Sequence, residues 1–376
     1  MLSIEICTFA LYEEGKGEII RFNKRKGYTM KKLILLFLTG FLSITAFSQV
    51  DVVEVLKAGQ KDANILARAY LNPYALALGD GLNNGWYNSA KPHKLFGFDL
   101  NVSVSAIQIP KSETTFDLNG LGLTHLTPEV AANHIAPTVA GLDERGPRVL
   151  VKDDSGKTIS SFNTPNGLGL DIVPVPMAQL TFGLLPHTDF IGRFVPEMKY
   201  DNSGDEMKIG FWGLGLKHNF KEWIPVIKAL PFDASVFGSY SEMNAQSEIT
   251  IDPNDFSSGD VILKADNTTD QLLKFNTKTS KFGLILSKKF SVLTVFAGVG
   301  QSTSKTTINL FGKYKVTTST GALIFDLTDP IDLDFESSNI CLDAGLRLKL
   351  AFFSIFGSVN KSEYLSYNAG ISLGIR

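Results

Sequence analysis

Five histidines, His93, His125, His134, His187 and His218, are scattered along the 376 residues, and no serine sits in a Gly-x-Ser-x-Gly elbow. Hydrolases embedded in membrane barrels pair Ser or Asp with His, which directs attention to His93, His187 and His218. His187 and His218 fall at expected turns, where exposed polar residues are ordinary, so a barrel-embedded hydrolase is the third reading and the chain is taken as a non-enzyme. No His/Cys pair has zinc spacing. Two stretches are rich in carboxylates. Residues 252–260 lack the spacing and closing Glu of a calcium loop. In the acidic loop 326–336, Asp332, Asp334 and Glu336 share one face of an extended segment; they are the weak metal candidates, with plain solvation favoured. No cofactor is expected.

The elements that would position such groups begin with an internal leader. Lys31-Lys32 and the apolar run from Leu33 to Phe47 precede the small-residue stretch Ala46-Phe47-Ser48, as in a signal peptide over 30–48. Met30 is read as the natural start, with 1–29 an upstream extension. From Gln49 onward the chain holds 29 basic against 34 acidic residues. That balance gives no footprint for nucleic acid. Cys341 is the one cysteine beyond the leader, so no intramolecular disulfide is expected.

Every even position from Ile340 to Leu350 is aliphatic, and Asp343, Arg347 and Lys349 lie on the other face. Successive strand side chains alternate between faces, and about ten such residues cross a bilayer when tilted. The same alternation marks 96–106, 175–184, 188–198, 206–218, 232–240, 272–286, 290–301 and 367–376. Tight connections at Leu185-Pro186-His187 and Ser287-Lys288-Lys289 contrast with long segments at 111–170, 246–270 and 304–337. Such asymmetry is that of outer-membrane barrels, with tight turns in the periplasm and long loops outside. The fold expected is all-β: a transmembrane antiparallel barrel over 94–376, best counted at ten strands (range ten to fourteen), with both termini in the periplasm. Residues 306–316 and 323–327 are either a hairpin above the membrane or further wall strands.

Residues 49–93 read as an N-terminal amphipathic helix and plug loop. Asp51 with Glu54 forms a capping pair, Val52, Leu56, Gly59, Ala63, Leu66 and Tyr70 make one stripe, and Asn72-Pro73 ends the helix. A loop rich in positive-φ residues follows from Gly79 to His93, with Asn83, Gly85, Trp86, Tyr87, Asn88 and His93 as its gating residues. Asp99, Asn101, Gln179, Thr181, Arg347 and Lys349 are expected to face the lumen, which is either a water channel or filled by the helix.

The stretch Asn83-Asn84-Gly85-Trp86-Tyr87-Asn88-Ser89-Ala90, followed at once by a long strand, resembles the N-terminal segment of long-chain fatty acid transporter (FadL-like) outer-membrane proteins, with Ser89 where that family has proline. From Gly85 to His93, in Gly215-Leu216-Lys217-His218 with Trp223-Ile224-Pro225, and in Ala229-Leu230-Pro231-Phe232, the chain is more similar to an outer-membrane barrel family described only as a domain of unknown function. The first resemblance implies passive transport of a small hydrophobic molecule, with the plug gating the lumen. The expected partners are membrane lipids, the barrel-assembly machinery and that hydrophobic ligand, in the cell outer membrane. The alternative is a structural or adhesive barrel acting through its long loops.

Overall fold

The computed structural model describes residues 55–202, 205–248, 257–258, 261–265 and 271–375. The leader, the Asp51/Glu54 pair and most of 252–260 lie outside the described residues.

Ten strands close into a barrel: β1 (Phe98–Gln108), β2 (Ile172–Leu185), β3 (Thr188–Asn202), β4 (Asp205–Asn219), β5 (Asp233–Glu248), β6 (Leu272–Phe290), β7 (Leu293–Phe311), β8 (Ile331–Leu350), β9 (Phe353–Lys361) and β10 (Leu365–Ile375). Each pairs antiparallel with its sequence neighbours, and β1 meets β10 with Phe98 opposite Ile375. Outward positions of β8 from Ile340 to Leu350 are apolar, and Ile340, Leu342, Leu346 and Leu350 are all more than half exposed. At about 3.3 Å per residue and the usual tilt, this belt is roughly 25 Å tall, the height of a hydrocarbon core. Water would not tolerate so much contiguous apolar surface. The chain is a transmembrane antiparallel β-barrel.

Above the belt the outward faces turn polar within one residue pair, as at Ser338 and Glu336 on β8 and Ser280 and Lys278 on β6. There β7 runs on to Phe311, and Lys313–Thr318 and Leu323–Thr328 form a hairpin in a separate four-stranded sheet with Ser257–Ser258 and Val261–Ala265. Of the ambiguous segment, 313–316 with 323–327 is thus a hairpin in that separate sheet, while 306–311 continue barrel strand β7. Within the long segment 111–170, Arg148–Lys152 and Thr158–Asn163 form a hairpin. At the opposite end the lip carries short helical turns at Lys221–Trp223 and Pro225–Lys228, with Trp223 70 % exposed.

Three expectations about the N-terminal segment are corrected. Helix α1 runs from Gly59 to Asn83, straight through Pro73, so Asn72-Pro73 does not end it and Gly79 to Asn83 are helical. A proline removes one helical hydrogen bond and frees the carbonyl four residues back; here Ala69 and Pro73 both line a cavity at the barrel mouth, where water can reach. The barrel wall supplies the packing that holds the helix together across that break. The third correction concerns direction. Gly59 abuts Phe325 of the outer hairpin and Asn64 donates to the Pro330 carbonyl, so α1 begins at the long-loop end, while Ile375 lies at the short-turn end. The described chain enters the lumen from the side of the long loops, and the two ends do not share a side.

The wall is not uniformly zipped. β2 and β3 pair from Leu185–Thr188 up to Gln179–Arg193 and no further among the described residues. Among the described residues above that rung, β2 ladders with β1 and β3 with β4. Odd positions of β2 bond β1, as the Ile109 N–H to Asp171 carbonyl and the Gly183 N–H to Gly97 carbonyl bonds show, so the nitrogens of Pro174 and Pro176 face the seam. On β3, Pro196 lies in the β-bulge between Val195 and Met198 opposite β4, another place where a wall strand tolerates proline. On β2, two donors that lipid would leave unsatisfied are therefore absent by sequence.

Candidate functional site

The lumen has two halves. Toward the long-loop end it is apolar: Val173, Val175 and Met177 of β2, Phe211 of β4, Ile308 of β7 and Phe335 of β8 are buried with Leu71, Tyr74 and Leu78 of α1. Two glycines let the helix approach. A Cβ on Gly79 would stand 2.4 Å from the Ser304 Cβ, and one on Gly81 would stand 2.5 Å from Val175 Cγ2. Gly79→Val therefore overpacks the wall; a loss of roughly 1–3 kcal/mol is expected, read as a lower heat-modification midpoint on semi-native gels. An unchanged midpoint would mean that the helix does not seat on β7.

The outer end of α1 is tied to the loops. The buried carboxylate of Asp62, in the helix's first turn, accepts N–H bonds from Thr124, His125 and Leu126 at 2.6–3.1 Å. A negative group there also faces the positive end of the helix dipole.

Toward the short-turn end the lumen is polar, and residues 84–93 descend through it. Asn83, expected in the loop, is the last helical residue; its side-chain amide donates to Ser302 Oγ at 2.9 Å and the Thr303 carbonyl at 3.0 Å. Gly85 adopts φ +69°, which a side chain would strain, and an added Cβ would lie 2.7 Å from Asn368 Nδ2. Trp86 is 1 % exposed and lies over Gly213 and Gly215, packed with Ile191 and Phe237. The Tyr87 hydroxyl donates to Asp343 at 2.7 Å, and Asp343 also receives Lys281 at 2.9 Å and Asn360 at 2.7 Å.

Below this a chain of charges crosses the lumen. Arg347 donates to Asn88 Oδ1, Asp99 Oδ2 and Ser354 Oγ at 2.8–2.9 Å. His93 stands between Asp99, 3.7 Å from its Nε2, and Asp189, 3.1 Å from its Nδ1. Lys217 reaches Asp189 at 3.0 Å and the Ser89 carbonyl at 3.0 Å. Buried charges survive where each is paired and hydrogen-bonded. These groups anchor the loop to the wall.

The structure thus brings Gly85, Trp86, Tyr87, Asn88 and His93 together with Asp99 and Arg347. Asn101, Gln179 and Thr181 are buried on the lumen wall, and Lys349 is half-buried at the short-turn rim. Asp332, Asp334 and Glu336 are not in a loop: they face outward on β8 above the belt. Asn309 donates to Asp332, and Lys305 bridges Asp334 and Glu336 at 2.8 and 3.0 Å, so the carboxylates are matched across strands by protein groups. His187 sits in a turn with φ +61°, while His218 is on β4, against Trp223 and 2.8 Å from Thr188 Oγ1.

One central group was not singled out from sequence. Arg193, 2 % exposed, donates Nη1 to the Leu82 carbonyl at 2.9 Å, Nη2 to the Asn84 carbonyl at 2.7 Å and Nε to Gln179 Oε1 at 3.0 Å, and its guanidinium lies 3.8 Å from the Trp86 ring centroid. Its signal was parity: Asp189, Ile191 and Arg193 share the inward face of β3.

No curated protein matches the chain. Three solved barrels are similar to it. The attachment invasion locus protein Ail of Yersinia pestis is 8 % identical over 75 % of this chain and 100 % of that one, at a TM-score of 0.23. The translocator domain of the autotransporter NalP of Neisseria meningitidis is 8 % identical over 81 % and 93 %, at 0.26. The P. putida toluene transporter TodX is 10 % identical over 82 % and 71 %, at 0.24. At these scores the likenesses bear on no residue's role. The sequence profile of a family of unknown function (DUF6588) matches residues 30–375, nearly the whole chain, and the chain belongs to that family.

Proposed function

We propose that this barrel sits in the outer membrane and passes a small hydrophobic molecule from the outer mouth through the apolar upper lumen, with α1 and residues 84–93 as the plug that gates it. The observation that carries this reading is the unzipped upper half of the β2–β3 seam. It places the apolar half of the lumen, rather than the charged half, beside lipid. Backbone left unpaired at membrane depth is costly, and Pro174 and Pro176 at the seam lower that cost. At the mouth, a cavity of about 530 Å³ lies between Ile65, Ala69 and Pro73 of α1 and Phe116, Leu121 and Leu333. That volume is within the range of small-molecule sites. A second, tight gap lined by Leu71, Tyr74, Leu78, Val173 and Phe275 lies deeper, beside β2. The charged lower lumen closes the direct route for an apolar solute.

The test joins the strands. Ala178 and Phe194 would form the next outward rung above Gln179–Arg193. In a Cys341→Ser background, Ala178→Cys with Phe194→Cys is oxidised in proteoliposomes, and uptake of an uncharged aromatic dye is followed. Uptake falls to the level of protein-free vesicles and returns on reduction. A bond that forms while uptake continues would remove the seam from the path.

The second reading is a surface-binding barrel, favoured by the two outer sheets, built from Lys313–Thr318 and Leu323–Thr328 with Ser257–Ser258 and Val261–Ala265, and from Leu126–Pro128 with Arg148–Lys152 and Thr158–Asn163. Dye uptake that never exceeds the protein-free level, with loss of a binding partner when the outer loops are removed, would favour it.

A further inference from the structure

The last rung of the β2–β3 ladder and the end of the plug helix share one side chain. Gln179 and Arg193 are the partners at the point where the seam opens, and both point inward. Arg193 Nε donates across the strands to Gln179 Oε1, which ties the rung through side chains as well as backbone. The other two nitrogens of the same guanidinium hold the Leu82 and Asn84 carbonyls. Those carbonyls belong to the last turn and cap of α1, where carbonyls lack helical partners and the dipole favours a cation. Gln179 returns its amide N–H to the Trp86 carbonyl at 3.1 Å, and Trp86 lies on the guanidinium. A planar fork of donors can satisfy strand and helix at once, which a lysine cannot.

We infer that Arg193 is a positioning residue that couples the plug to the seam: displacement of the 82–86 segment unclamps the Gln179–Arg193 rung, and the opening runs further down the wall. The inference deepens the transport reading and depends on it for its physiological meaning, although the coupling itself is readable without transport. Coupling of this kind is reciprocal, so a ligand or lipid that spreads the seam also loosens the helix end.

The comparison that isolates Arg193 is with Lys281, which is equally buried and also holds the plug, through Asp343 and Tyr87, but on strands far from the seam. Nitroxides at Ala178→Cys and Phe194→Cys, again in Cys341→Ser, report the separation of β2 and β3 by dipolar line broadening in the full-length protein. Arg193→Gln and Arg193→Lys both lose broadening, because neither can bridge rung and helix, while Lys281→Met weakens the hold on Tyr87, keeps Arg193 on the Leu82 and Asn84 carbonyls, and leaves the spectrum as in the parent. If Lys281→Met widens the seam as much as Arg193→Gln, the effect is general loosening and the inference fails. It fails also if Arg193→Gln leaves the spectrum unchanged. Should Arg193→Gln not fold to a heat-modifiable barrel, Gln179→Ala removes the same cross-strand bond and the Trp86 contact and is expected to show the same loss. Closing the seam without stopping dye uptake would defeat the transport reading alone and leave this result standing.

Discussion

Excision of residues 55–93 is expected to turn the barrel, silent in planar bilayers with its plug in place, into one that conducts in stable ohmic steps. With the plug in place, α1 fills the upper lumen and the Trp86–His93 stretch is bonded to opposite walls by Lys217, by Arg347 and by Asp343, which Lys281 holds in turn. Without it, the carboxylates of Asp99, Asp189 and Asp343 and the cations of Arg193, Lys217, Lys281 and Arg347 face a common space that water must enter to solvate them. Eight strands leave room only for side chains, and ten enclose somewhat more. The shortened protein should still migrate as a heat-modifiable barrel, since the wall pairs with itself. Silence from such a folded barrel would mean that wall side chains close the lumen unaided and that the plug is not the gate.

Much of this architecture was legible because a barrel wall writes its two environments into alternate residues. Ile340 to Leu350 shows it most plainly: lipid takes the even positions, and Asp343 and Arg347 go to the lumen. Residues 306–316 could not be assigned in the same way, because above the belt both faces of β7 meet water or protein and alternation no longer reports lipid. The helix end was misread at Pro73, since helix rules weigh local hydrogen bonding while here the enclosing wall decides. Its direction was hidden for a different reason: an amphipathic stripe says that a helix is covered, not which end arrives first. Gly59 against Phe325 and Asp62 under Thr124–Leu126 are contacts between distant segments that no period encodes.

The site was legible in part. Gly85 to His93 stood out as a loop, and Asp99 and Arg347 as inward charges, but which charge meets which depends on strand register. The seam left a readable trace. Pro174, Pro176 and Pro196 occupy wall strands, where proline is confined to edges and bulges, and a strand reading that begins at Val175 passes over the first of them. Two prolines of equal parity on β2 are the mark of a strand with one unpaired side.

Arg347→Ala should destabilise the folded barrel by about 3–5 kcal/mol, the usual consequence of removing one member of a buried ion pair. Loss of the guanidinium deprives Asn88 Oδ1, Asp99 Oδ2 and Ser354 Oγ of a donor at once, while His93 Nε2 stays 3.7 Å from Asp99. Because His93 also pairs with Asp189, the imbalance spreads along the chain toward Lys217, and residues 88–93 lose their grip on the short-turn end. Lys349→Ala, two residues along the same strand but half-buried at the rim, serves as the comparison and is expected within about 0.5 kcal/mol of the parent. Denaturant midpoints in detergent measure both. A third protein separates pairing from packing: Arg347→Met with Asp99→Leu removes both charges and keeps volume, and apolar replacement of a buried pair is often neutral or better. It should recover most of the loss. If the double variant is as weak as Arg347→Ala, the bonds to Asn88 and Ser354, rather than the ion pair, hold the foot of the plug. If Arg347→Ala costs no more than Lys349→Ala, the charge chain does not anchor the loop and the plug is held by α1 alone.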